Sequence, residues 1–276
     1  MSESIKQLHQ QAVLNKQLTY LDPNTGYAVF TAYALKQRKK CCGCGCRHCP
    51  YIHENVPRGR EKFKPFVPTL INASSLVQEE CDVLFWSGGK DSYLALLQLL
   101  DEGAQVILLT TFDRSTGVVA HQELEFKYII EQSRHLNLPL LGVPLYSGEY
   151  TSQLTEGLKL LSTKTKLKRL VFGDLHLEHI RSWREKQLKG IAEQLSMKLY
   201  FPLWKAEYDV LMQRFLQSGA QATITAAPFG SYANTVHVGA SFDEQFISNL
   251  SSTVDSFGEN GEFHTRVWWP KSRASK

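Results

Sequence analysis

SGGKDS, at residues 87–92, joins a strand-like segment to a helix-like one. The apolar run Val83–Trp86 before it is typical of a buried strand, and the Leu- and Ala-rich run Tyr93–Leu100 after it is typical of a helix. A strand that turns through glycines into a helix N-terminus presents unpaired backbone N–H groups and the positive end of the helix dipole. The sequence therefore predicts an anion-binding loop at this point.

The spacing of this motif differs from that of two common nucleotide-binding loops. The Walker A pattern G-x-x-x-x-G-K-[ST] is absent here, and so is the dinucleotide pattern G-x-G-x-x-G. The motif instead resembles the pyrophosphate loop of the ATP pyrophosphatases, S-G-G-x-D-S. That resemblance implies cleavage of ATP between its α- and β-phosphates, with the phosphates bound by Ser87, Gly88, Gly89, Lys90 and Ser92.

After the loop, strand-like and helix-like segments alternate. Helices separate four further strand-like segments, at Gln105–Thr111, Leu141–Leu145, Leu170–Asp174 and Leu199–Phe201. The alternation predicts an α/β fold, a parallel sheet with helices on both faces. The resemblance implies the same class, a Rossmann-like fold of the adenine nucleotide alpha hydrolase type. Because ligands bind at the carboxyl ends of such strands, we expect Trp86, Thr111 and Asp174 to meet in one crevice.

Four later motifs resemble, in the same order, those of the diphthine–ammonia ligase family. They are Val171–Leu175 (VFGDL), Glu178–Arg181 (EHIR), Phe201–Trp204 (FPLW) and Gly258–Thr265 (GENGEFHT). With the loop, the resemblance covers about residues 81–268. It implies that ATP adenylates a carboxylate, of diphthine or of another small molecule or protein, with release of pyrophosphate. Ammonia then attacks the acyl-adenylate to give an amide and AMP.

The same resemblance implies roles for polar residues at the strand ends. Asp91 would share a Mg²⁺ ion, or it would cap the helix. Thr110–Thr111 would lie against the adenine, and Gly173–Asp174 would contribute to the binding of Mg²⁺ or ribose, or Asp174 would cap the next helix. Of Arg181 and Arg184, Arg181 is expected to contact a phosphate or a substrate carboxylate, with a surface i,i+4 ion pair as its alternative role.

The acidic motif near the C-terminus is expected to act on the acceptor and the amine. Glu259, Asn260, Glu262 and His264 lie in a Gly-containing turn before a strand-like run. Two carboxylates, an amide and an imidazole are more than a polar turn requires, so we expect them to bind the acceptor and to position or deprotonate the amine. The expected catalytic set is Lys90, Asp91, Asp174, Glu259 and Glu262.

Five of the 6 cysteines lie between Cys41 and Cys49, which is not the spread of a disulfide framework. Residues 20–56 resemble a small uncharacterised cysteine-containing domain with a C-C-x-x-G-C-R-H-C-P-Y core. A tetrahedral zinc or iron–sulfur site is one interpretation, and a reduced or redox cluster without metal is the other. The expected ligands are Cys41, Cys42, Cys46 and Cys49. The basic run Lys36–Lys40 is expected to be a solvated face rather than a nucleic-acid site.

Composition and length set the remaining expectations. The 276 residues, with a net charge of +4, allow more than one domain. We expect a cytoplasmic protein, because no apolar run reaches the ~18 residues of a membrane span and no secretory signal is visible. Formation of a homodimer is compatible with the sequence. The expected units are a Cys-rich domain at 1–56, a linker at 57–79, an ATP-binding domain at 80–202 and a smaller α+β substrate lobe at 203–276.

Two other functions are compatible with the loop. One is ATP-dependent sulfur transfer to tRNA, which would use the cysteine cluster and the basic run. The other is a nucleotide-sensing module that binds ATP or AMP without turnover. Replacing the clustered cysteines separates the first from a ligase, because thiolation would be lost and amidation kept.

Overall fold

A computed structural model of the chain describes residues 5–23, 28–41, 46–52, 67–76, 79–119, 122, 124–146, 150–227 and 236–270. The described part of residues 5–52, here called the N-terminal module, contains α1 (Ile5–Leu14), β1 (Thr19–Leu21), β2 (Ala28–Phe30) and α2 (Ala32–Lys36). β1 and β2 pair antiparallel. Phe30, Leu35 and Cys46 form a buried apolar cluster with Ala226, so the module packs on the C-terminal part of the chain.

Within the described residues, 8 strands form the central sheet. In chain order they are β3 (Thr69–Ile71), β4 (Cys81–Phe85), β5 (Gln105–Asp113), β6 (Val118–Val119), β7 (Leu124–Glu125), β8 (Leu140–Leu145), β9 (Leu167–Val171) and β10 (Lys198–Tyr200). The helices that cover the sheet are α3 (Lys90–Asp101), α4 (Phe126–His135), α5 (Tyr150–Ser162) and α6 (Glu178–Gln194).

The parallel part of the sheet changes direction at β4. Parallel pairing gives the order β10–β9–β4–β5–β8. From β4 the chain adds β5 and β8 on one side, and it then returns to add β9 and β10 on the other side of β4. In open α/β sheets ligands bind outside the carboxyl ends of the strands at such a point. The carboxyl end of β4 leads into residues 87–89, and that of β9 leads to Gly173 and Asp174. The topology therefore opens both segments onto one crevice.

Alternate side chains of the central strands are buried on opposite faces. Val83 and Ile107 pack in a cluster with α5 and α6, whereas Leu84 and Leu108 pack in a cluster with α3 and α4. Burial on both faces accounts for the continuous apolar runs in these strands. The predicted class, a mostly parallel α/β sheet with helices on both faces, is confirmed.

The C-terminal part adds a second, smaller sheet. Its elements are α7 (Tyr208–Gln217), β11 (Gln221–Ala226), α8 (Glu244–Ser248) and β12 (His264–Trp268). β11 and β12 pair antiparallel. Phe242, Phe246, Phe257 and Phe263 pack together, with ring centroids 5.3 to 6.1 Å apart. These rings belong to the same buried cluster as α3, so the small sheet is packed directly against the large one.

Part of the segment predicted to be a linker is a strand. Thr69–Ile71 pairs antiparallel with β8 at the edge of the central sheet, and the Asn72 Nδ2 donates to the Leu138 carbonyl at 2.9 Å. Three residues are too few for an alternating pattern to be recognised, which explains the difference. The domain boundaries remain predictions. Among the described residues, no helix combines the length and the apolar character that a membrane crossing requires.

Candidate active site

A cavity of about 170 Å³ lies at the carboxyl ends of β4 and β9. Its walls come from the loop after β4, the end of β5, the start of α6 and the segment before β12. Segments that are far apart in the sequence therefore share one space. Of the predicted site residues, those that line it are Ser87, Lys90, Asp91, Ser92, Thr111, Gly173, Asp174, Glu259 and His264.

The path of the loop depends on Gly88. Its φ of +80° lies in the left-handed region, which glycine adopts without the steric cost that a Cβ imposes. A Cβ at this position would lie 2.6 Å from the Ile129 Cδ1 and 2.7 Å from the Gln132 Oε1. Both the backbone conformation and the packing thus require glycine, and α3 begins two residues later with its N-terminus at the cavity.

β12, near the C-terminal end of the sequence, is hydrogen-bonded to the loop after β4. The Lys90 N–H, at the start of α3, donates to the Thr265 Oγ1 at 3.0 Å. The Val267 N–H donates to the Gly88 carbonyl at 2.9 Å. The Gln132 Nε2 donates to the Gly88 carbonyl at 3.0 Å and to the Val267 carbonyl at 2.7 Å. The loop and β12 therefore form one hydrogen-bonded unit.

The Lys90 ammonium is buried against aromatic rings. Its Nζ lies 5.3 to 5.5 Å from the ring centroids of Phe242, Phe257 and Phe263, and it donates to the Asp91 Oδ2 at 2.9 Å. The lysine side chain is only 3% exposed. Cation–π contacts and the carboxylate offset the cost of burying this charge. Lys90 is therefore a fixed positive charge at the cavity, unlike a mobile surface lysine.

Asp174 and Arg184 form a buried ion pair at the cavity. Asp174 follows β9, and Arg184 projects from α6. The Arg184 Nη2 donates to the Asp174 Oδ1 at 3.0 Å, and the Arg184 Nε donates to the Oδ2. Burial lowers the pKa of Arg184 to about 9, so the guanidinium is still charged at pH 7. Burial and the nearby charges of Glu259 and Asp91 raise the pKa of Asp174.

Carboxylates perturb one another in the cavity. Burial, followed by the charge of Asp91, raises the pKa of Glu259 to about 7. Burial also raises the pKa of Asp91, against the opposing charge of Lys90, and the Asp91 Oδ1 is buried with no hydrogen-bond partner. Burial lowers the pKa of His264 to about 4, with the charge of Lys90 adding to the shift, so its imidazole is neutral at pH 7. Glu259 is thus a carboxyl poised to exchange a proton near neutral pH.

The polar residues of the C-terminal motif occupy two different positions. Glu259 and His264 line the cavity, but Glu262 and Asn260 do not. The Glu262 Oε1 accepts from the Asp255 N–H at 3.1 Å and from the Asn260 Nδ2 at 3.3 Å. These bonds close the turn between Asp255 and Glu262. The structure therefore gives Glu262 and Asn260 contacts that shape the turn, while Glu259 and His264 face the cavity.

Two other predicted residues lie away from the cavity. The Thr110 hydroxyl donates to the Trp86 carbonyl at 2.6 Å and so joins β5 to the end of β4. The Arg181 Nε donates to the Glu185 Oε1 at 2.9 Å, and its guanidinium covers the Trp204 ring at 4.7 Å. Arg181 thus makes the surface i,i+4 pair that was its alternative role, and it is not among the residues that line the cavity.

Arg184, rather than Arg181, is the arginine of α6 that lines the cavity. The cavity-lining residues of this region, Leu177, Ile180 and Arg184, follow the three- and four-residue spacing of one helix face. That spacing is the signal that distinguishes Arg184 from Arg181. Further lining residues without such a signal are Gln122, Tyr150 and Thr265.

The cysteines of the N-terminal module lie apart from the cavity. Cys41 and Cys46 are buried, the Cys41 and Cys49 sulfurs are 3.8 Å apart, and the Cys49 N–H donates to the Cys46 carbonyl at 3.2 Å. Cys42 lies outside the described residues. Within the described ranges, no three His, Cys, Asp or Glu side chains form a group able to hold a metal ion. The metal site remains a prediction.

We expect protein purified under reducing conditions to contain about one zinc ion, or an iron–sulfur cluster, per chain, since clustered thiolates favour these metals. Elemental analysis measures the content directly. Cys46→Ser should lose the metal, whereas Cys81→Ser should keep it because Cys81 lies at the start of β4. Absence of both zinc and iron from the unaltered protein would contradict the prediction.

The chain is an α/β protein with a cavity at the carboxyl ends of its parallel strands, and comparisons with known proteins show what it is similar to. A family model described as a family of unknown function (DUF5522) matches residues 8–55. The chain is similar to diphthine–ammonia ligase of Bos taurus and of Homo sapiens, each 23% identical over 205 residues that cover 65% of this chain and 75% of the relative. The Danio rerio diphthine–ammonia ligase is 25% identical over 204 residues and covers 65% of this chain and 78% of the relative.

These relatives confirm two predictions: the resemblance to the diphthine–ammonia ligases and the assignment to ligase-type enzymes. The family model confirms the resemblance of the N-terminal, cysteine-containing segment to an uncharacterised family. One solved structure is similar over 71% of this chain and 99% of its own, with 19% identity and a TM-score of 0.38. It is described as a predicted subunit of tRNA methyltransferase from Methanocaldococcus jannaschii.

Proposed function

We propose that this protein is an ATP-dependent ligase that adenylates a substrate carboxylate, releases pyrophosphate and transfers the acyl group to ammonia or another amine. One observation carries the proposal. The anion-binding loop and Glu259, a carboxyl with a pKa of about 7, line the same cavity. A loop that binds phosphates and a base able to deprotonate an amine are the two parts that adenylation followed by amidation needs.

The walls of the cavity suit different parts of ATP. Phe85, Leu109 and Ile180 contribute apolar lining that fits an adenine ring. Ser87 and Ser92 contribute hydroxyl groups, and α3 begins in the same loop, at Lys90. Negative charge builds on pyrophosphate as it leaves, and fixed donors at this position stabilise it.

Magnesium fits the acidic part of the cavity. Lys90 is paired with Asp91 and Arg184 with Asp174, so the cavity holds little net positive charge for ATP. Mg²⁺ is usually bound by one or two carboxylates together with substrate phosphates, and the buried, unpartnered Asp91 Oδ1 would supply such a ligand. When bound, the ion neutralises phosphate charge. The chain itself supplies Asp91 to hold it.

The amine is deprotonated by Glu259 in this proposal. Ammonium must lose a proton before its nitrogen can attack the acyl-adenylate. A carboxyl with a pKa near 7 is half ionised at neutral pH and accepts a proton more readily than an ordinary surface carboxylate. The neutral His264 imidazole beside it can accept or donate a hydrogen bond to the acceptor.

The test is release of AMP and pyrophosphate from Mg-ATP by the full chain, with and without ammonium. The acceptors would be diphthine-bearing elongation factor 2 and, separately, a pool of carboxylate metabolites. We expect equal amounts of AMP and pyrophosphate, with turnover that requires both an acceptor and ammonium. Tight ATP binding without cleavage under every condition would favour the nucleotide-sensing module instead.

Sulfur transfer to tRNA gains no support from the site. None of the cysteines in the described residues lines the cavity, and Cys81 lies at the opposite end of β4 from the loop. Turnover that survives replacement of Cys41 and Cys49 by serine would exclude a thiolation mechanism that depends on them. Loss, in that variant, of an activity measured with tRNA as the acceptor would favour thiolation.

A further inference from the structure

The Arg184–Asp174 pair is a feature of the cavity that the proposed function leaves without a role. The two side chains are 5% and 10% exposed, and the Arg184 guanidinium also lies over the Phe172 ring at 4.5 Å. Removing both charges from water is costly, and well-packed apolar residues often stabilise a core as well as a buried pair does. A buried pair that lines a ligand-sized cavity is therefore more informative about binding than about stability.

The geometry of the pair fixes the direction of the guanidinium. A guanidinium has five N–H donors in one rigid plane, and Asp174 engages the edge formed by the Nε and the Nη2. Stacking on Phe172 holds the same plane from one face. The rest of the donor plane consequently has a fixed orientation relative to the cavity, which Arg184 lines. Fixed donors in a water-poor site stabilise oxyanions strongly.

The other positive charge in the cavity has a different position. Lys90 lies at the start of α3, beside the loop, and is held by Asp91 and the aromatic rings. Arg184 instead projects from α6 and is held by Asp174, which follows β9. The cavity therefore has two cationic groups with different partners, so one can act on the leaving pyrophosphate and the other on the adenylated group.

We propose that Arg184, positioned by Asp174, binds the oxyanion at which adenylation takes place, either the α-phosphate of ATP or the carboxylate that attacks it. This inference rests on the proposed function. In the step, a carboxylate oxygen bonds to the α-phosphorus, the bond from that phosphorus to the bridging oxygen breaks, and the electron pair leaves with pyrophosphate. Arg184 exchanges no proton in this step. Asp174 is a positioning residue.

Binding of AMP tests the proposal without any acceptor, because the α-phosphate is the only phosphate of AMP. We expect Arg184→Gln to weaken AMP binding, measured by calorimetry, by about tenfold or more, as loss of a charge-assisted hydrogen bond does. Lys189→Gln, which removes an exposed charge from the same helix, should bind AMP like the unaltered protein. If Arg181→Gln weakened AMP binding and Arg184→Gln did not, the assignment of Arg184 to the α-phosphate would be overturned.

Turnover distinguishes the two oxyanions. If Arg184 binds the carboxylate, Arg184→Gln should leave AMP binding unchanged and should raise the KM for the acceptor. In either case the rate of pyrophosphate release should fall by about 10² to 10³, the usual effect of losing an oxyanion donor. Unchanged AMP binding together with unchanged turnover would refute the proposal. Since AMP binding needs no acceptor, failure to find a ligase substrate would not be confused with failure of this inference.

A further variant tests whether loss of binding in Arg184→Gln results from unfolding of the core. Arg184→Gln alone leaves Asp174 as an unpaired buried charge, which could unfold the protein. The double variant Asp174→Asn with Arg184→Gln removes both charges and keeps hydrogen-bonding groups at both positions. A folded double variant that binds AMP and turns over normally would show that Arg184 only neutralises Asp174. A folded double variant that has lost AMP binding or turnover would support the proposal.

Discussion

Replacing Glu259 with glutamine should lower the amine-dependent turnover by about 10² to 10⁴, the usual contribution of a general base. Glutamine keeps the size of the side chain and one acceptor oxygen but cannot act as a base near neutral pH. The measurement is formation of amide and AMP from Mg-ATP, acceptor and ammonium. Release of pyrophosphate in a single turnover with acceptor but without amine should be affected much less, because adenylation precedes deprotonation of the amine.

The pH dependence gives a second readout of the same residue. The raised pKa of about 7 keeps Glu259 protonated in acid. The higher turnover rate of the unaltered protein, compared with Glu259→Gln, should therefore be lost as the pH falls. The ratio of its rate to that of Glu259→Gln should rise about tenfold per pH unit below 7 and level off above 7. Taking the ratio removes the titration of ammonium itself. A ratio that does not vary with pH would contradict the base role.

Glu262→Gln is the matched comparison, because it makes the same change three residues further on. Glu262 closes the turn through Asp255 and Asn260, so this variant should lower the unfolding temperature and keep the pH dependence of turnover. Equal losses of turnover in both variants, with the pH profile abolished in each, would indicate that the two carboxylates act together, as the sequence suggested.

Gly88→Ala should destabilise the protein by about 2 to 5 kcal/mol and abolish ATP binding. The left-handed backbone costs about 1 to 2 kcal/mol with a Cβ, and overpacking against Ile129 and Gln132 costs about 1 to 3 kcal/mol more. Binding should be lost because the new methyl group displaces the loop from β12. Urea unfolding and titration with ATP measure the two effects.

Gly103→Ala separates strain from packing. Gly103 also has a positive φ, +71°, but a Cβ there would meet no atom within 4 Å. This variant should therefore cost only the backbone share, about 1 to 2 kcal/mol, and should bind ATP normally. If both glycine variants were equally destabilised, the close packing around Gly88 would have no energetic weight.

The sequence predicted the local part of this site well. SGGKDS predicted the turn between β4 and α3 because a strand, a glycine turn and a helix start are contiguous, so the pattern is complete within a short stretch. The alternation of strands and helices predicted the parallel sheet for the same reason, and with it the meeting of Thr111 and Asp174 at one edge.

The parts that were missed depend on contacts between distant segments. The rings of Phe242, Phe257 and Phe263 around Lys90 follow from packing of the small sheet, which no local pattern encodes. The sequence favoured Arg181 over Arg184 as the ligand-contacting arginine. Both residues fit a helical segment, and the rotation of the helix decides which one faces the cavity. The hydrogen bond from the Asp255 N–H to the Glu262 Oε1, which closes the turn of the acidic motif, is likewise not visible in the sequence.

The hydrogen bond between the Lys90 N–H and the Thr265 hydroxyl also has a consequence for biosynthesis. The two residues are 175 positions apart. At translation rates of 5 to 20 residues per second, a ribosome needs roughly 10 to 35 s to add the second partner after the first. During that interval a nascent chain exposes an incomplete loop that lacks β12. The proposed nucleotide ligand would therefore stabilise the finished polypeptide but would not guide the folding of the emerging one.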